Sequence, residues 1–267
     1  MNEIAGSSQG RVGVAVLLLE SGKSAEINGG ERFPMQSVYK LPIAMAVLDR
    51  VDRGSLKLEQ KVKVQKSELV PDALQSPLRD KYPQGDVELP LRELLHYNVS
   101  ESDGTACDVL LRIMGGPQEV SKYLREIGIK ELIVADTEME MSKSDTVQYR
   151  NWATPKGAIA LLKLLHEGKV LSAQSHELLT KLMIETPTGL KRIKGLLPNG
   201  TIVAHKTGTS GTANGITAAT NDIGIITLPN GKHLAVAVFV SDAKAGREIR
   251  EGVIARIAKA AYDVFLQ

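Results

Sequence analysis

RVGVAVLLLE, residues 11–20, is β-branched and apolar without alternation, the pattern of a strand covered on both faces. SGK (21–23) then turns the chain into a second short strand, SAEIN (24–28). Comparable sequence returns only near the other end, as TIVAHKT (201–207), GITAATNDIGIITL (215–228) and HLAVAVFV (233–240). The last two are joined through Pro229-Asn230-Gly231, and Asn-Gly is the strongest short hairpin signal. Between these ends, from Ser37 to about Ile184, the apolar period becomes helical. YKLPIAMAVLDRV (39–51), LPLRELLHYNV (89–99), DGTACDVLLRIM (103–114), PQEVSKYLREIG (117–128), TPKGAIALLKLLHEG (154–168) and SAQSHELLTKLMIE (172–185) all follow it, with Pro and Gly at their ends. AGREIREGVIARIAKAAYDVFL (245–266) closes the chain as an amphipathic helix. The expected architecture is α+β in one domain over 1–267. An antiparallel sheet flanked by terminal helices comes from 1–36 and 185–267, and an inserted all-helical subdomain spans 37–184.

The bulk properties narrow the chemistry. With 267 residues, 43% apolar and 24% charged, the chain can bury a full core. A net charge of +2 without single-sign blocks gives no electrostatic case for nucleic acid or an anionic membrane, so the expected partner is a small molecule. Cys107 is the only cysteine, which excludes an intrachain disulfide. VAVLLL (14–19) is far shorter than a membrane span and no charged-then-apolar leader precedes it; the expectation is a soluble monomer without a signal peptide. His96, His166, His176, His205 and His233 show no metal-ligand spacing, and there is no HExxH, cysteine pair, GxGxxG or P-loop, so neither metal nor cofactor is expected.

Three short motifs carry hydroxyl and lysine chemistry. SVYK places Ser37 and Lys40 three apart on one helical face. SDAK repeats that spacing at Ser241 and Lys244, where an N-cap serine and a solvated lysine are the simpler reading. What sets SVYK apart is LPIAMAVL behind it, apolar nearly all round and therefore central; a lysine buried there loses solvation, its pKa falls toward neutrality, and it can accept the serine proton. SDG (102–104) stands at a helix start, where Ser102 or Asp103 can cap and Ser102 can also relay a proton. AHKTGTSG (204–211) ends a strand with Lys206, Thr207, Gly208 and Thr209, offering a cation, hydroxyls and open backbone to a carboxylate and an amide. His205, beside Lys206, is read as a strand residue facing away from that pocket. VADTEMEMSKSDTVQYRNWATP (134–155) has no period; its length and Trp152 mark an ordered functional loop carrying Glu138 and Glu140.

Ser-x-x-Lys, Ser-Asp-Gly and Lys-Thr-Gly in this order resemble the penicillin-recognising serine enzymes, and over nearly the whole chain the sequence looks like a class A β-lactamase. Its loop before QYRNW is most similar to an atypical branch of broad-spectrum cephalosporin-hydrolysing enzymes. The resemblance implies hydrolysis of the β-lactam amide of penicillins and cephalosporins through an acyl-serine, hence antibiotic resistance, in the periplasm or outside the cell, with 1–267 as the mature form. It implies Ser37 as nucleophile, Lys40 and Ser102 as proton carriers, and the backbone N–H groups of Ser37 and Thr209 as oxyanion hole. Lys206, Thr207, Gly208 and Thr209 would bind the substrate carboxylate, with Arg192 near it or simply solvated. Glu138 would activate the deacylating water, with Glu140 as the competing carboxylate; whether Lys40 or Glu138 serves acylation stays open.

Departures from the family pattern are expected to matter. Gly104 replaces an asparagine amide and widens the pocket, Ser142 stands where relatives hold the hydrolytic water with Asn, and Asp136 stands where an Arg pins the loop. The competing readings are a D,D-peptidase, a penicillin-binding sensor that stays acylated, and a serine-type glutaminase.

Overall fold

The computed structural model describes residues 2–266. A short helix, α1 (Asn2–Gly6), precedes β1 (Arg11–Leu18), β2 (Ser24–Ile27) and β3 (Phe33–Pro34). A 3-10 turn at Gln36–Tyr39 runs into α2 (Lys40–Asp52), followed by β4 (Lys61–Val64), α3 (Pro77–Lys81), β5 (Val87–Pro90), α4 (Leu91–Val99), α5 (Gly104–Met114) and α6 (Pro117–Glu126). The aperiodic segment holds α7 (Glu138–Met141) and a 3-10 turn at Val147–Arg150 between β6 (Leu132–Ile133) and β7 (Trp152–Ala153). Then come α8 (Pro155–His166), α9 (Ala173–Ile184), β8 (Val203–Thr209), β9 (Thr212–Ala213), β10 (Ile216–Thr217), β11 (Thr220–Thr227), β12 (His233–Ser241) and α10 (Arg247–Leu266).

The two chain ends build one antiparallel sheet of order β2-β1-β12-β11-β8. Its unbroken apolar runs follow from burial on both sides. Leu234, Val236, Val238 and Val240 of β12 join Val253, Ile254, Ile257 and Ala258 of α10 in one core. Ala235, Ala237 and Phe239 point the other way into a larger core shared with α2, α4, α5 and α8. At the centre of that core, α2 buries every residue from Lys40 to Leu48, as its all-round apolar sequence requires.

The α+β architecture stands, with local differences. The chain begins on α1 rather than on sheet. The middle region is not all helical: β4 pairs with β5, and β7 sits between β3 and β6. α8, expected in the helical insertion, packs on β1 and β12 of the main sheet. Residues 215–228 are split at Ala218-Ala219, and the first part folds back on β9 through Asn214-Gly215, both at positive φ as a primed two-residue hairpin turn demands. Ser241 is not an N-cap; it ends β12 and its hydroxyl donates to the Ala218 carbonyl, whereas Lys244 is exposed.

Phe33 and Phe239 stack with centroids 5.8 Å apart, both fully buried, and join β3 to the main sheet. Phe239→Ala is expected to lower stability by ~3–5 kcal/mol in urea unfolding, because the ring fills the core between the main sheet and the helices packed on it, where a cavity collapses only in part.

Candidate active site

Ser37 lies in the 3-10 turn at the head of α2, where the first N–H groups of a helical segment have no internal partner. Asn221 holds that turn from β11, its amide donating to the Pro34 and Met35 carbonyls at 2.8 and 3.1 Å. One turn on, the Lys40 Nζ donates to Ser37 Oγ at 2.9 Å and to the Ser102 carbonyl at 3.0 Å, and stands 2.5 Å from Glu138 Oε1. Lys40 is 1% exposed, as the sequence suggested. The expected fall in its pKa does not occur. Burial pushes the ammonium down, but the Glu138 carboxylate, with smaller help from Cys107 and Asp103, pulls the other way, and on balance the Lys40 pKa is raised above the ordinary lysine value.

The depressed lysine is Lys206. Burial and the charge of Lys40 pull it down to about 7, although Asp222 and Glu138 act the other way. Its Nζ donates to Ser102 Oγ at 2.8 Å. Ser102 sits at φ 58°, a left-handed conformation imposed where the chain from α4 turns into α5. Asp103, not Ser102, caps α5: its Oδ1 accepts from the Ala106 N–H at 2.8 Å while Oδ2 accepts from that of Leu78 at 2.7 Å.

Glu138 opens α7, capped by Thr137, whose hydroxyl accepts from the Glu140 N–H. Asp108, a residue the sequence reading passed over, reaches up from α5 to accept the Glu138 and Met139 N–H groups at 2.7 and 2.9 Å. An acidic residue on a helix whose neighbours are nearly all core was the available signal. Asn151 pins the other side of the loop, accepting from the Ala135 and Asp136 N–H groups and donating to the Asp136 carbonyl. Asp136 is buried and pairs with Arg150 at 3.1 Å, so an acid takes the pinning position with its cation supplied from within the loop. Glu140 is exposed and pairs with Lys143, and Ser142 lies at the rim of the cleft with its hydroxyl donating to the Met139 carbonyl. Trp152 is half-buried under the Arg32 guanidinium, 4.0 Å from its ring centre.

β8 forms the facing wall as the free edge of the sheet. The Ser210 N–H pairs inward with the Ala219 carbonyl, so the two-residue alternation of an antiparallel ladder sends the Thr207 and Thr209 N–H groups outward to the open edge. Gly208 lets this edge meet the serine turn: a Cβ there would lie 2.2 Å from the Met35 carbonyl oxygen. Thr207 and Thr209 line the cleft with Ser37, Lys40, Ser102 and Glu138. His205 is fully buried beneath β8, bonded to Asp222 at 2.9 Å, and is not among the residues that line the cleft.

Two site expectations change. Arg192 is not a solvated cation; it is 2% exposed, and its guanidinium donates to the Gly208 and Asn221 carbonyls, Thr209 Oγ1 and Glu251. Gly104 is buried at the start of α5 and does not widen the cleft. Its N–H donates to the Gln75 carbonyl, a Cβ would meet Val70 and that carbonyl at 3.2 and 3.3 Å, and the segment Ala73–Gln75 lines the space instead.

A serine hydroxyl held by a buried lysine, a carboxylate on that lysine and an open strand edge opposite are the working parts of an acyl-serine hydrolase. A model of the beta-lactamase enzyme family matches residues 1–265. The chain belongs to that family. The extended-spectrum beta-lactamase PER-1 of Pseudomonas aeruginosa is 46% identical, over 96% of this chain and 83% of that protein. A crystal structure of a beta-lactamase from Chitinophaga pinensis superposes with TM-score 0.96 at 50% identity, covering 99% of this chain and 97% of its own. A class A beta-lactamase representative from Bacteroides cellulosilyticus gives 0.93 at 37%, covering 99% and 95%. This β-lactamase is therefore a class A serine enzyme that hydrolyses β-lactams and so confers resistance to them.

Arg192→Ala is expected to destabilise this β-lactamase by up to ~3–5 kcal/mol, since it takes the donor from the Gly208 and Asn221 carbonyls and leaves buried Glu251 with only the exposed Arg247 as its cation. Thermal or urea unfolding checks it; a loss under about 1 kcal/mol would return Arg192 to the solvated class.

Proposed function

We propose that Ser37 attacks the strained lactam carbonyl, with the oxyanion between the backbone N–H groups of Ser37 and Thr209, where each donor is typically worth ~2.7–4 kcal/mol. The observation that carries the reading is the junction at Lys40, whose ammonium lies within 3.0 Å of Ser37 Oγ, the Ser102 carbonyl and Glu138 Oε1. As a cation Lys40 can only donate to Ser37. It must first give a proton to Glu138, after which its free lone pair accepts the serine proton; the two side chains act in acylation as one unit. Ser102 then passes a proton to the departing nitrogen, drawing on Lys206, to which it is already bonded.

The substrate carboxylate docks against the hydroxyls of Thr207 and Thr209 in the field of Lys206. Arg192 acts through Thr209, whose hydroxyl it fixes at 2.7 Å. The proton held by Glu138 then passes back to recharge Lys206, and the ionised Glu138 draws a proton from the water that cleaves the acyl-serine, while the released Ser37 oxygen takes its proton from Lys40. A carboxylate so held argues for turnover over the single acylation of a sensor or the peptide chemistry of a D,D-peptidase. Similarity to PER-1 supports an extended range of β-lactams, penicillins and cephalosporins among them. Among the described residues no helix is long and apolar enough to cross a membrane, and the reading places a monomer in the periplasm or outside the cell.

Catalytic hydrolysis of a chromogenic cephalosporin is the direct test; one stoichiometric burst followed by silence would favour the sensor. Glu138→Ala is expected to slow deacylation by ~10²–10⁴-fold and to accumulate an acyl-enzyme visible by intact mass. Multiple turnover at the parent rate would move the base elsewhere. Lys206, held near 7, is a cation below that pH and neutral above it. For a carboxylate-bearing substrate, kcat/KM should therefore fall as pH rises through about 7, mainly through KM. A profile flat from about pH 6 to 9 would remove Lys206 from carboxylate binding.

A further inference from the structure

We propose that Glu20, His166 and His233 form a binding site for a divalent transition-metal ion of the zinc type, separate from the cleft that holds Ser37. Three elements meet there. Glu20 lies just past the end of β1, His233 is the first residue of β12, and His166 is the last residue of α8. The reading of the chain found no ligand spacing among the histidines, because these donors are contributed from distant points and converge only in the fold.

One ligand atom from each residue lies within 4.8 Å of the other two. His233 Nδ1 stands 2.8 Å from Glu20 Oε1 and His166 Nε2 stands 4.0 Å from it. Ligands at the usual zinc distances of about 2.0–2.2 Å in a tetrahedron are ~3.3 Å apart, a value these separations straddle. Small rotations of half-buried rings therefore suffice.

The donors are also held in place. The His233 backbone N–H donates to both Glu20 oxygens at 3.0 Å, and the Leu19 N–H pairs with the His233 carbonyl, which fixes the carboxylate to the β1–β12 ladder. The two imidazoles face each other with ring centres 4.4 Å apart. His166 ends a twelve-residue helix whose C-terminal carbonyls favour a cation. Two imidazoles and one carboxylate suit zinc, copper or nickel and leave room for water, whereas magnesium and calcium prefer all-oxygen sites.

The site is remote from the chemistry. His233 is seven residues along β12 from Val240, the partner in register of Thr220 and so level with Thr209, which is ~23 Å at strand rise. Bound metal would clamp the end of α8 to the sheet and stabilise the fold without entering the reaction.

Titration of the full chain with zinc chloride, followed by calorimetry and by thermal unfolding, tests this. The expected result is one saturable micromolar site, a rise in Tm of several degrees at excess zinc, and no response to magnesium. His166→Ala, His233→Ala and Glu20→Gln should each weaken binding by ~10-fold or more, and their unchanged turnover of a chromogenic cephalosporin would show that they fold. Absence of saturable binding, or binding undiminished in the His166→Ala/His233→Ala double variant, overturns the site.

Discussion

Two lysines without solvent share a single catalytic cleft, and the rest of the site follows from keeping both there. Lys40 and Lys206 are each essentially inaccessible, and like charges at close range oppose one another in a medium of low dielectric. Among the described residues Glu138 is the carboxylate paired with Lys40, whose pKa is raised, while Lys206 carries the strain as a depressed pKa. The division of labour is electrostatic. On the proposed reading one amine carries a proton with an acid beside it, and the other is poised to become cationic when an anion arrives.

Such a pair needs a rigid frame, because its energetics change steeply with distance. Asp108 and Asn151 grip the loop bearing Glu138 from below and from the side. Burial pushes Asp108 up to about 7, against the pull of the two N–H groups it accepts, and the nearby Glu138 charge adds to the rise. Asn221 and the bare backbone at Gly208 fix the serine turn against β8. Arg192 ties β8 to β11 and to α10.

Much of this was legible in the sequence because the signals were local. Apolar runs at both termini gave the sheet, helical periodicity gave the middle, and SVYK ahead of an all-apolar helix marked Ser37 and Lys40. Where reading failed, the deciding contact was distant in the chain. KVKV (61–64) alternates as an edge strand should, with Val62 and Val64 inward, yet only pairing with β5 makes it one. Gly104 looked like an empty space because nothing in SDG shows that Val70 and Gln75 stand over it. The fall expected for the Lys40 pKa failed for the same reason: desolvation can be guessed from composition, whereas a carboxylate at 2.5 Å cannot.

The unpaired margin of β8 has a consequence for how selectivity evolves. On the proposed reading, main-chain groups there read the shape of an extended amide, not its decoration, so the strand would greet every member of a chemical class alike. On that reading discrimination would fall to the surrounding lip, lined by Gln75, Asp145 and Arg247 from three unrelated segments. Changes there can redraw which drugs are accepted while the buried charges stay untouched, which separates the tuning of diet from the upkeep of chemistry.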